Sequence, residues 1–276
     1  MGASVQSTNA QVLKNIKRTN LPLEALVEMA KNSAKNGGNS YSEVILGLPG
    51  DTKDSHFQSV FDMIDGGINE VRMYQLIMLD GTELATKDTR ERYGFKNQWR
   101  VLPRCMGHYS IYGNRFSVAE IHEVCVGNNT MSHQDYLDCR KLNLVVEIFN
   151  NGKVFSELLL FLNMLGIPSS KVIYEIYLRA LDDEGIIVAL VREFKEDEDK
   201  NFFDTREQLE EFLQQPGMLD RYLSGEYGAN QIMRFRSKAL LQHLEDNTQM
   251  IFDVVRKQLD VQNILNDEIS LYLEEL

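Results

Sequence analysis

The chain has 276 residues, 43% of them apolar and 25% charged, the ordinary globular balance and enough length for one large domain or a domain and a half. No apolar run reaches the ~18 residues that span a bilayer, and no basic segment followed by an apolar one marks a signal peptide, so a cytoplasmic, non-membrane protein is expected. The net charge of −12 sits entirely in the second part, since residues 1–115 carry +2 and residues 116–276 carry −14, a poor surface for nucleic acid.

In chain order, strand and helix alternate first. Gly2–Gln6 is a short strand of small residues, and Ser7, Thr8 and Asn9 offer N-caps for a helix through about Ile16. Pro22 opens a second helix, Leu23–Lys35. Its Leu23, Leu26, Val27 and Ala30 recur at helical spacing, and Asn36-Gly37-Gly38 stops it. Tyr41–Leu48 is β-rich and ends at Pro49-Gly50; Asp51 or Thr52 caps a helix over Lys53–Asp65; Glu70–Met78 is a third strand. This alternation predicts parallel strands joined by crossovers, as in part of an α/β barrel or a doubly wound sheet. Residues 86–116 follow as an irregular connector. From residue 117 to 276 the pattern is mainly helical: Ser117–Val126, Ser132–Phe149, Val154–Leu165, Ser169–Asp182, Thr205–Gln214, Ala229–Leu244 and Asp246–Glu274. Glu193–Asp204 is a charge-dense, solvated connector.

The segment from Glu43 to Thr52 carries the chemistry. Alternate strand residues share a face, so Glu43 points with Ile45, and Gln6 with Ser4. A carboxylate turned into a barrel is costly unless something binds it, and a ribose diol offers it two hydroxyl donors. Arg18 ends the helix after the first strand, and its planar fork suits a ligand carboxylate. Each has a plainer alternative: an exposed strand acid for Glu43, a cation favoured by a helix C-terminus for Arg18, and a simple turn for Gly47, Pro49 and Gly50. His122 and Cys125, one helical turn apart, read as a packed helix face. His108, among Arg104, Tyr109 and Tyr112, is a candidate to touch substrate if the loop Trp99–Arg115 reaches the barrel mouth.

Three stretches in order carry a resemblance: Gly2-Ala3-Ser4-Val5-Gln6-Ser7 with Lys17-Arg18; Glu43 through Thr52, with its Gly-Leu-Pro-Gly turn; and Tyr74-Gln75-Leu76 followed by Asp80-Gly81-Thr82-Glu83-Leu84. Over residues 2–84 the chain resembles the second half of a radical S-adenosylmethionine (SAM) enzyme, closest to the oxygen-independent coproporphyrinogen oxidases and the cobalamin-binding branch. The resemblance implies the C-terminal half of a (β/α)6-type partial TIM barrel over residues 1–85, followed by the connector and the helical region, an α/β plus α chain. It also implies SAM contacts from Gln6 and Arg18 at the methionyl end and Glu43 at the ribose, with Gly47, Pro49 and Gly50 forming the cofactor-side turn.

The chain departs from that family in lacking the C-x-x-x-C-x-x-C signature, whose thiolates hold three irons of a [4Fe–4S] cluster. Cys105, Cys125 and Cys139 are separated by 19 and 13 residues. They suit neither a disulfide framework nor a structural zinc site, and no metal ligand is assigned. The expectation is a fragment or subunit of a radical SAM enzyme. Completed by the N-terminal barrel half, from the same gene or a separate subunit, it would bind SAM and generate a 5′-deoxyadenosyl radical against a small-molecule substrate. Cobalamin is possible in the intact enzyme, and the chain alone is expected to be inactive. The alternative is a non-catalytic helical subunit for binding or assembly.

Overall fold

The computed structural model describes residues 2–182 and 185–276. Strands β1 (Gly2–Gln6), β2 (Tyr41–Leu46) and β3 (Glu70–Gln75) form a parallel sheet in that spatial order. Helices α1 (Ala10–Asn15) and α2 (Leu23–Lys35) connect the first pair, and α3 (Lys53–Asp65) connects the second. Strand β2 shows the period of two: Ser42, Val44 and Leu46 are buried, while Tyr41, Glu43 and Ile45 are half-buried on the opposite face. Thr52 and Ser55 close a capping box that starts α3, and its Phe57, Val60, Met63 and Ile64 pack in the core that also holds Val44, Leu46 and Val71 of the sheet.

Beyond β3 the chain differs from the sequence expectation. Residues 96–127 are a long antiparallel hairpin, β4 (Lys96–Ile111) and β5 (Asn114–Gly127). It closes on Tyr112 and Gly113, whose φ values of 50° and 81° suit a two-residue hairpin turn. The predicted helix Ser117–Val126 is therefore a strand, and a boundary between residues 116 and 117 cuts through a single element. Val118, Ile121 and Cys125 fit a helical stripe, but the β-branched Val118, Ile121, Val124 and Val126 favour extended backbone, and the inner end from His122 to Gly127 is buried throughout, as in a covered strand. The hairpin is also tied to the parallel sheet. The Cys125 N–H donates to Leu76 O at 2.9 Å and the Met78 N–H to Glu123 O at 2.9 Å.

After α4 (Lys87–Tyr93) and the hairpin come α5 (His133–Phe149), α6 (Ser156–Met164), α7 (Ser169–Asp182), α8 (Ile186–Asn201) and α9 (Arg206–Leu213). Then follow α10 (Met218–Leu223), α11 (Gln231–Gln242), α12 (Leu244–Val261) and α13 (Asp267–Glu275). Ser132 and Asp135 form the capping box of α5, whose Leu142, Val145, Val146, Ile148 and Phe149 are buried beside α3, α7, α8 and α11. The charge-dense stretch Glu193–Asp204 is not a connector, because most of it is the end of α8. The stripe Ile187, Leu190, Val191, Phe194 continues at helical spacing to Glu198, which is only 2% exposed. The predicted Asp246–Glu274 helix is broken after Val261, where Asn263 takes φ 56° and Asn266 caps α13. Among the described residues, no helix is long and apolar enough to cross a membrane.

Candidate functional site

A cleft of about 1410 Å³ opens at the C-terminal ends of the parallel strands, where α/β folds build their sites. Gln6, Ile45, Gln75 and Leu76 line it from the sheet, Ile16–Thr19 from the turn after α1, and Arg100–Pro103 from β4. Arg140 and Asn143 of α5, Glu198 of α8 and Gln231 of α11 form another wall.

The structure brings Gln6, Arg18 and Glu43 to one corner. Ser4 lies opposite Glu43 in the β1–β2 pairing, and its hydroxyl donates to Glu43 Oε2. Its carbonyl accepts from Arg18 Nη2, while Arg18 Nε donates to Asn20 Oδ1 at 3.1 Å. Glu43 Oε1 and Arg18 Nη1 have no hydrogen-bond partner among the described residues. The β1–β2 register shifts between Ser4 and Gln6, and Gln6 takes φ 60°, a strained value for a residue with a side chain. Its side chain lines the cleft with no hydrogen-bond partner among the described residues. Gln6 and Arg18 line the cleft directly, whereas Glu43 is set back behind them through Ser4.

Gly47, Pro49 and Gly50 face protein. The Gly47 carbonyl accepts from Asn128 Nδ2 at 3.3 Å, and the Pro49 carbonyl accepts from Asn15 Nδ2 at 2.9 Å. Gly50 has φ +78°, and a Cβ there would lie 2.5 Å from the Asn15 amide, so the turn needs glycine for reasons internal to the fold. Leu48 is the residue of this turn that lines the cleft. Just after it, Asp51 is buried and its carboxyl is pushed up to about 6. His56 lies 3.9 Å away, too far for a hydrogen bond, and neither of its nitrogens has a partner among the described residues. Burial, with the nearby Arg140 charge, drives its imidazole down to about 3, so it is neutral and no ion pair forms.

The opposite wall is a buried polar network. Arg100 Nη2 donates to Gln75 Oε1 at 2.7 Å, and Gln75 Nε2 donates to Tyr136 Oη and, at 3.2 Å, to Glu198 Oε1. Tyr136 Oη donates to Glu198 Oε1 at 2.8 Å, and Arg140 Nε donates to the same oxygen at 2.9 Å. His122 lies across the β4–β5 ladder from Arg100, and its Nε2 accepts from Arg100 Nε at 2.8 Å. Burial, then the Arg100 charge, holds this imidazole down to about 4, so it is neutral with its proton on Nδ1. On a strand, His122 and Cys125 fall on opposite faces, so their spacing carries no paired chemistry.

Sequence reasoning missed this wall. Gln75 lies in the Tyr74-Gln75-Leu76 stretch, Arg140 sits beside Lys141 on a helix that also carries Asp135, Asp138 and Glu147, and Glu198 lies in an acidic run. Of the loop Trp99–Arg115, the residues Arg100–Pro103 reach the cleft. His108 does not line it. It sits between Ser117 Oγ at 2.7 Å and Asp220 Oδ1 at 2.9 Å on the hairpin.

No family model matches the chain. It is 29% identical over 160 residues to the cobalamin-dependent radical SAM methyltransferase TokK of Streptomyces tokunonensis, covering 58% of this chain and 23% of that protein. It is 27% identical over 150 residues to the 2-(S-pantetheinyl)-carbapenam-3-carboxylate methyltransferase of Streptantibioticus cattleyicolor, covering 54% of this chain and 21% of that protein. The chain thus has two methyltransferases among its distant relatives, one of them a cobalamin-dependent radical SAM enzyme. Its match spans less than a quarter of the length of either one.

The residues present fit one of the groups such enzymes use and not another. The Gln6 amide, Arg18 Nη1 and Glu43 Oε1, without partners among the described residues, are donors and acceptors suited to an amino-acid end and a diol. The cysteines do not suit an iron–sulfur cluster. Cys105 is exposed on the hairpin, Cys125 and Cys139 are buried in different apolar clusters, and burial pushes the Cys125 thiol up to about 11 and the Cys139 thiol well up as well. Among the described residues no group of three His, Cys, Asp or Glu side chains could hold a metal.

Proposed function

We propose that this chain forms the SAM-binding wall and part of the substrate cavity of a cobalamin-dependent radical SAM methyltransferase. A segment bearing the C-x-x-x-C-x-x-C motif and the first three strands of a (β/α)6-type barrel completes it. The observation that carries this reading is the Ser4 bridge, which holds Arg18 and Glu43 together near Gln6, whose side chain has no partner among the described residues, at the mouth of three parallel strands. The similarity to two methyltransferases over more than half of the chain supports it.

When bound, SAM supplies a transferable methyl group and, on one-electron cleavage, radical chemistry. The residues of this chain bind and orient. Arg18 takes the methionyl carboxylate, Gln6 the amino-acid end, and Glu43 accepts from the ribose hydroxyls. Ile45, Leu48, Leu76 and Leu84 give the cleft an apolar lining that excludes water from the reacting end.

Anaerobic reconstitution with iron and sulfide tests the proposal. The 276-residue chain alone should give no stoichiometric [4Fe–4S] absorbance and no SAM cleavage. Co-expression with a segment carrying the cysteine motif should give both. Cleavage by the chain alone would overturn the proposal, as would a completed assembly that loads a cluster and leaves SAM intact.

A further inference from the structure

Four arginines line the cleft, and their pairing is uneven. Arg72 is matched by Glu70 at 2.9 Å and Arg140 by Glu198 at 2.9 Å. Glu147, the remaining acid on that wall, is matched by Arg236 at 3.1 Å. Arg18 and Arg100 have no carboxylate partner among the described residues. Arg18 belongs to the corner assigned above to SAM. Arg100 is left as a half-buried cation in a network whose only acid, Glu198, is already shared with Arg140.

That is an expensive arrangement for an empty fold. A guanidinium withdrawn from water needs an anion or a full set of acceptors. Arg100 has two acceptors, Gln75 Oε1 and His122 Nε2, and both are neutral. The Nη1 groups of Arg100 and Arg140 donate to nothing among the described residues. His122 Nδ1 and Asn143 Nδ2 are sealed donors without partners among the described residues, just behind the cleft lining. The site has a surplus of donors and a surplus of one positive charge.

We infer that this wall is a carboxylate-binding subsite for the substrate. Arg100 is the charged contact, Arg140 Nη1 is the supporting donor, and Gln75 and His122 hold the Arg100 fork in plane. A single carboxylate cancels the surplus charge; a dianionic phosphate would overshoot it. The inference depends on the proposed function only for the identity of the occupant as substrate. The carboxylate of SAM is the competing source, and the test separates the two.

The probes are cyclopentanecarboxylate, the matching carboxamide and inorganic phosphate, titrated into the purified chain by ligand-observed NMR, with and without saturating SAM. The carboxylate should bind at least tenfold more tightly than the amide and should persist in the presence of SAM. Arg100→Gln should weaken it at least tenfold. Glu198→Gln removes the internal acid and should tighten carboxylate binding several-fold, a gain that a purely structural network would not give. Should Arg100→Gln fail to fold, the carboxylate-to-amide ratio on the parent and the Glu198→Gln gain still decide. Equal affinity for acid and amide, no detectable carboxylate binding, or binding of phosphate alone would overturn the inference. So would displacement by SAM, or loss of binding in Arg18→Ala with none in Arg100→Gln.

Discussion

Asn151 hydrogen-bonds to Val71 as a neighbouring strand would. Its Nδ2 donates to Val71 O at 2.8 Å and its Oδ1 accepts from Val71 N at 2.9 Å, closing the outer edge of β3 with one side chain. Both groups are buried, so removing the amide strands a peptide donor and acceptor away from water. Asn151→Leu, similar in size, should cost about 1–3 kcal/mol for each stranded group, read as a fall in the urea midpoint. Asn151→Asp keeps the acceptor but turns a buried carboxyl toward Glu147 Oε2 and the Val71 carbonyl, so it should be tolerated no better than Leu. A Leu variant within 0.5 kcal/mol of the parent, roughly the scatter of surface changes, would show that the pairing contributes nothing.

The buried Asp51 sets a pH dependence. Its carboxyl is pushed up to about 6 from an ordinary 3.8, because burial outweighs its bonds to Ser55 and the Thr52 N–H. A carboxyl whose pKa is higher folded than unfolded contributes fully below about pH 4, and that contribution is lost as pH rises through 6. Two pKa units correspond to about 3 kcal/mol. The stability of Asp51→Asn relative to the parent should therefore rise between pH 4 and pH 7 by that order and then level off. Chemical denaturation of both proteins at four pH values checks it, and a difference that stays flat across the range would place Asp51 in a solvated environment.

The outer edge of β1 pairs with no strand among the described residues, and the Arg18 and Asn20 side chains donate to the Ser4 and Val5 carbonyls. Open edges of this kind recruit other chains. The purified chain should self-associate in light scattering, and addition of a segment carrying the first three barrel strands should return it to a single species. A monodisperse monomer with a cooperative melt would show that the edge needs no partner.

The parallel sheet was legible because its strands are short, separated by capped helices and punctuated by glycine and proline. β1, α2 and α3 begin and end where the residue pattern places them. The hairpin was not legible. Val118, Ile121 and Cys125 satisfy a helical stripe as well as a strand, and what decides between them is pairing with β4, a long-range contact. Gln6, Arg18 and Glu43 could be singled out from local order. The network of Arg100, Arg140 and Glu198 could not, because its members come from three separate elements and one of them is the inward residue of an otherwise solvated acidic run.

Calorimetric titration of SAM into the completed assembly, comparing the parent with Glu43→Ala and Arg18→Ala, addresses the SAM-binding corner most directly. Arg18→Ala should weaken binding by about 1.5–3 kcal/mol, the range for a hydrogen bond to a charged group. Arg18→Lys should recover little, since a point charge does not replace a fork. Glu43→Gln should cost less than Glu43→Ala, and a 2′,3′-dideoxy analogue should bind Glu43→Ala and the parent almost alike. If Glu43→Ala binds SAM as tightly as the parent does, the ribose is held elsewhere, and the Ser4 bridge only ties β1 to β2.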